Sequence, residues 1–81
     1  MSKIDKLIHK FKTNPETLKY RNIKNVLIHL EFDLIKAKGS HVKYKHSKLN
    51  TDVIVPIHNG ECKNFYKKEI LKILIINKII K

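Results

Sequence analysis

Two histidines stand out by their neighbours. His41 follows Gly39-Ser40 and precedes Val42-Lys43-Tyr44-Lys45, while His58 closes the run Val53-Ile54-Val55-Pro56-Ile57. An imidazole can take up and release a proton near neutral pH, and lysines beside it can hold the charge that gathers on a phosphate. That combination could cut RNA without a metal. One imidazole takes the proton of a ribose 2′-OH, the freed oxygen attacks its own phosphate, and a second donor protonates the departing 5′ oxygen. The seven acidic residues are scattered along the chain, so no carboxylate cluster suggests a two-metal nuclease. The plain reading stands beside this one: a histidine on a polar strand is an ordinary surface residue, and a lysine-rich face keeps a chain solvated. His9, His29 and His46 read as surface or boundary residues without a role. Cys62 has nothing near it in sequence to activate a thiolate.

Composition narrows the field. With 81 residues, 42% hydrophobic and 31% charged, the chain is one small globular domain near the lower limit of self-sufficient folding. Eighteen Lys and Arg against seven Asp and Glu leave a net charge of +11, which points to a polyanionic partner. Only Arg21 is arginine. Lysine binds phosphate as a point charge, whereas bidentate reading of bases favours arginine, so sequence-specific DNA recognition is the weaker expectation. A single cysteine makes no intrachain disulfide, which suits a reducing cytoplasm. There is no zinc-ligand spacing and no glycine-rich phosphate loop, the glycines being Gly39 and Gly60 alone, so no cofactor is expected. The opening residues lack a signal peptide's apolar run, and Ile70–Ile80 is too short to span a bilayer. No membrane role is expected.

The elements that must position the histidines can be read from periodicity. Ser2 and Asp5 have capping-box spacing before a helix over 3–12 with Ile4, Leu7, Ile8 and Phe11 on one face. Thr13-Asn14-Pro15 breaks it. A second helix carries Ile23, Val26, Leu27 and Leu30 inward, with Lys24, Asn25 and His29 outward, and ends near Glu31. Residues 32–38 read as a strand, Gly39-Ser40 as a tight turn, 41–46 and 53–58 as further strands, and Asn64 as the N-cap of a last helix. Pro56 cannot donate to a ladder, which places the third strand at an edge. The fold class is therefore α+β: a two-layer sandwich, a three-stranded antiparallel meander with helices on one face, plus an extra N-terminal helix. Pairing His46 with Val53 buries Val42, Tyr44, Val53, Val55 and Ile57, and brings His41 opposite His58 on the open face. The tail from Leu71 to Ile80 is apolar around most of a helix, and its end is expected to pack on the N-terminal helix; a docking patch is the alternative.

Gly39-Ser40-His41-Val42-Lys43-Tyr44, then Val53-Ile54-Val55-Pro56-Ile57-His58, then Phe65-Tyr66-Lys67-Lys68-Glu69-Ile70-Leu71, in that order in a small basic chain, resembles the HicA family of toxins. The resemblance runs from about Tyr20 to Leu74, leaving residues 1–14 as an extension within a single domain over 1–81. It implies a fold similar to the double-stranded-RNA-binding domain and the role of toxin in a type II toxin–antitoxin pair. It further implies an endoribonuclease on single-stranded messenger RNA, neutralised by a HicB-family antitoxin, with DNA contacted only through that antitoxin. The family's catalytic histidine falls on His41, with Gly39 and Ser40 supporting it, and the histidine after the proline matches His58. Lys36, Lys38, Lys43 and Lys45 would guide the RNA backbone. The family usually has Gly-Phe where helix meets first strand. Here it is Glu31-Phe32, so a different local turn is expected there. Two other classes of function stay open at this point. One is a non-catalytic RNA-binding module on the same lysine face; the other is a subunit whose charge serves an acidic protein partner.

Overall fold

In the computed structural model, which describes residues 2–80, the first helix starts on the expected capping box. Asp5 donates its backbone N–H to Ser2 Oγ at 3.2 Å, and the Asp5 carboxylate accepts from the Ser2 N–H at 3.4 Å. Helix α1 runs Lys3–Thr13, a short 3₁₀ turn follows at Pro15–Thr17, and α2 spans Tyr20–His29. Strands β1 (Asp33–Lys36), β2 (His41–Lys45) and β3 (Val53–Pro56) precede α3 (Asn64–Ile76). The sheet is antiparallel in the order β1-β2-β3, so β3 with its proline is an edge strand. The α+β architecture expected from periodicity is the one observed. No described helix is long and apolar enough to cross a membrane.

The core lies between one sheet face and the helices. Tyr44 and Val55 from the sheet join Phe11 of α1, Ile23, Val26 and Leu27 of α2, and Ile70 and Leu74 of α3 in one buried cluster. The hydroxyls of Tyr20 and Tyr44 hydrogen-bond to each other inside it, so neither phenol is buried without a partner. Burial raises the pKa of both, and for Tyr44 the bond to Tyr20 adds to the rise.

The β2–β3 register differs from the expected one by two residues. Tyr44 pairs with Val53, Val42 with Val55 and His41 with Pro56. A slip of two keeps every side chain on its face, so the hydrophobic pattern cannot choose between the two pairings. What chooses is His46. Its Nε2 bonds the Leu30 carbonyl at 3.0 Å, its Nδ1 accepts the Lys48 N–H at 3.1 Å, and its ring rests on Phe32 at 4.6 Å. These bonds hold His46 out of the strand and start the connection one residue early. His46 thus has a structural role, contrary to the expectation of none.

Two helix ends share one device. At α2, Glu31 donates to Ile28 O and Phe32 to Leu27 O, both at 3.0 Å, with Glu31 at φ +72. This is the Schellman arrangement, which prefers glycine at the left-handed position. The turn therefore keeps the geometry that Gly-Phe would give, and Glu31 bears the strain. At α3, Lys78 is left-handed (φ +57), donating to Ile75 O while Ile79 donates to Leu74 O. The helix stops at Ile76 and the chain reverses, burying Ile80 in the core cluster instead of extending the helix. The N-cap of α3 is Lys63 rather than Asn64, and no side chain caps it. Phe65, in the first turn of α3, is 63% exposed.

Replacing Glu31 by glycine relieves the left-handed strain, and stability should rise by about 1 kcal/mol. Urea denaturation of Glu31→Gly reads this directly; an unchanged or lower midpoint would show that the turn is not strained.

Candidate functional site

The turn between β1 and β2 aims His41. Ala37 donates its N–H to the His41 carbonyl at 3.1 Å, and His41 donates to the Lys38 carbonyl at 3.4 Å. Gly39 sits at φ +68 in the first central position, as in a type II′ turn. A Cβ there would meet nothing within 4 Å, so the backbone twist demands glycine and the surroundings do not. Ser40 anchors the other side by accepting the Ile57 N–H at 3.0 Å. His41 is thereby held exposed at the end of the sheet.

His41 borders two hollows. A shallow one is shared with Ala37, Lys38, Gly39, Ser40 and Ile54. A cleft of about 320 Å³ lies on its other side, lined by Tyr20, Lys24, Leu34, Lys36, Val42 and Ile57 together with the turn residues. The lysines expected to act together are divided between faces. Lys36 pairs with Val42 and shares the helix side of the sheet. Lys38 stands in the turn, exposed. Lys43 and Lys45 are on the opposite, open face, each 3.8 Å from the same Asp52 carboxylate oxygen. Ile35 and Ile54 are exposed on that open face as well.

His58 is not across from His41, where the expected register had it. Ile57, not His58, lies beside Ser40. His58 instead exchanges both backbone hydrogen bonds with Glu61 at 2.8 and 2.9 Å. Asn59 and Gly60 between them have φ +52 and +76, the signature of a type I′ turn. His58 thus belongs to a small hairpin of its own and lines neither hollow that His41 borders.

That hairpin supplies a support for the site which the sequence did not disclose. Glu61 Oε1 accepts the N–H of Tyr20, the first residue of α2, at 3.0 Å. A carboxylate there satisfies an orphan donor and favours the positive end of the helix. Lys67, 6% exposed, donates from Nζ to the Leu18 carbonyl at 2.7 Å and lies 3.8 Å from the same Glu61 oxygen. These contacts fix the start of α2, and with it Lys24, one turn along. Lys24 read as outward-facing in the sequence. Its spacing of four from the buried Tyr20, which puts both on one helical stripe, was the signal available.

Cys62 is buried, and burial pushes its thiol pKa up, which disfavours the thiolate a nucleophile needs. Among the described residues no group of three or more His, Cys, Asp or Glu could hold a metal ion.

Compared with protein families, the chain matches the HicA toxin of bacterial toxin–antitoxin systems over residues 20–76, and it belongs to that family. The match starts at the first residue of α2, so α1 and the 3₁₀ turn precede it. Membership implies an antitoxin partner. No curated protein and no solved structure gives a significant match.

Tyr20, Tyr44 and Cys62 all hold their protons more tightly folded than unfolded. The unfolded chain loses protons from about pH 9 for the thiol and about pH 10 for the phenols, while the folded chain keeps them. Stability contributed by these groups is therefore full below pH 9 and falls above it. Urea midpoints measured from pH 7 to 11 should decline only beyond about 9; a flat profile to pH 11 would contradict the burial of these groups.

Proposed function

We propose that this chain is the toxin of a type II pair and cleaves single-stranded messenger RNA in the cytoplasm as a metal-independent endoribonuclease, with His41 as general acid/base. The observation that carries the reading is His41 at the mouth of a cleft whose charged lining residues are both lysine, Lys24 and Lys36. The His41 imidazole takes the proton of a ribose 2′-OH. The 2′ oxygen then bonds to the adjacent phosphorus, and the bond from phosphorus to the 5′ oxygen breaks, leaving a 2′,3′-cyclic phosphate and a 5′-hydroxyl end. Ammonium groups flanking the phosphate stabilise the charge that develops there, and the departing oxygen takes its proton from them or from water. A HicB-family antitoxin that binds the His41 end of the sheet would silence so small a site by covering it. Residues 1–14 form an extension of the same domain, outside the catalytic part.

His58 lines neither hollow that His41 borders, so its contribution to rate is expected to be small. The test is cleavage of a long unstructured RNA in EDTA. His41→Ala should lose about 10²- to 10⁴-fold in rate, with thermal unfolding displaced by only a few degrees because the residue is exposed. His58→Ala should lose less than about tenfold. Undiminished cleavage by His41→Ala would remove the proposed mechanism, and RNA binding without any cleavage by the unaltered chain would identify a non-catalytic binding module.

A further inference from the structure

The open sheet face looks like the obvious RNA platform, since Lys43 and Lys45 stand on it beside His41. Its charge balance argues otherwise. Asp33 is the cross-strand neighbour of Lys45, and Asp52 lies 3.8 Å from both lysines. Two ammonium groups facing two carboxylates leave that face neutral, and a phosphate arriving there must displace existing ion pairs. The cleft on the helix side is different. Lys24 from α2 and Lys36 from β1 line it, and no acidic side chain does. Glu61, which reaches the start of α2, is committed to the Tyr20 N–H and Lys67.

We infer that the RNA strand enters through the cleft between α2 and the β1–β2 turn, with Lys24 and Lys36 contacting successive phosphates on the way to His41, and that Lys43 and Lys45 are not its principal contacts. This rests on the proposal that RNA is the substrate. The two lysines come from different elements and line the cleft together, so one strand passing through it can meet both. For a single strand, each phosphate that no longer meets an ammonium group keeps its counterion, which takes about 0.7 off the slope of log affinity against log salt. Lys24 is half-buried and Lys36 is exposed at a strand end, so neutralising them leaves the core untouched.

The experiment uses full-length His41→Ala protein, which binds without cutting, and a fluorescent single-stranded RNA oligonucleotide titrated at several salt concentrations. Adding Lys24→Gln and Lys36→Gln should weaken binding roughly tenfold at physiological salt and lower the slope by about 1.4. Adding Lys43→Gln and Lys45→Gln should change affinity less than about threefold and leave the slope in place. A loss confined to the second pair, or equal for both, would overturn the cleft path. Cleavage by the unaltered chain would still support the ribonuclease reading in that case. No binding by any protein at low salt, together with no cleavage by the unaltered chain, would overturn both.

Discussion

A buried ammonium group organises this molecule. Lys67 is buried in the first turn of α3, and a charge removed from water must be compensated where it lies. The Leu18 carbonyl and the Glu61 carboxylate compensate it. Glu61 in turn accepts the first free N–H of α2. Three separate stretches of chain, the end of the 3₁₀ turn, the Asn59-Gly60 hairpin and α3, are thereby fixed to the start of one helix. With that start set, Tyr20 meets Tyr44 across the core and Lys24 falls into line along the cleft. The position of α2 along the cleft follows from this arrangement at its first residue.

The site itself is small and depends on the backbone more than on neighbouring side chains. A positive φ at Gly39 and the paired bonds of Ala37, Lys38 and His41 place one imidazole at a sheet end, and Ser40 ties that end to β3. The charge of the chain is spread unevenly around it. Of the two basic surfaces flanking His41, one is offset by Asp33 and Asp52 and the other is not. A net charge of +11 favours a polyanion over the whole molecule; the local balance of charge sets the two surfaces apart.

Much of this was legible in the residues. The capping box at Ser2 and Asp5, the alternation that buries Tyr44 and Val55, the edge position forced by Pro56 and the turn at Gly39 all follow from local rules, and the structure obeys them. The motif around His41 carried the family. What escaped was long-range. An even register slip leaves the pattern of faces unchanged, so only the bonds of His46 to Leu30 and Lys48 reveal it. Glu31 and Lys78 adopt a conformation that glycine normally supplies, because the Schellman bonds and the burial of Phe32 and Ile80 outweigh a local cost of about 1 kcal/mol. A lysine in a core helix reads as solvent-facing until its partners, 49 positions away at Leu18 and in the preceding hairpin at Glu61, are seen.

The central claim is that His41 directs a 2′-hydroxyl against its own phosphate. The most direct measurement is the chemistry of the cut ends, made in EDTA on an RNA oligonucleotide and on the same oligonucleotide with a single 2′-deoxy sugar at the mapped cleavage position. The account predicts a 2′,3′-cyclic phosphate and a 5′-hydroxyl from the first, and no cut at that position in the second. A 5′-phosphate end, or undiminished cleavage at the deoxy position, would mean that water is the nucleophile and would contradict it.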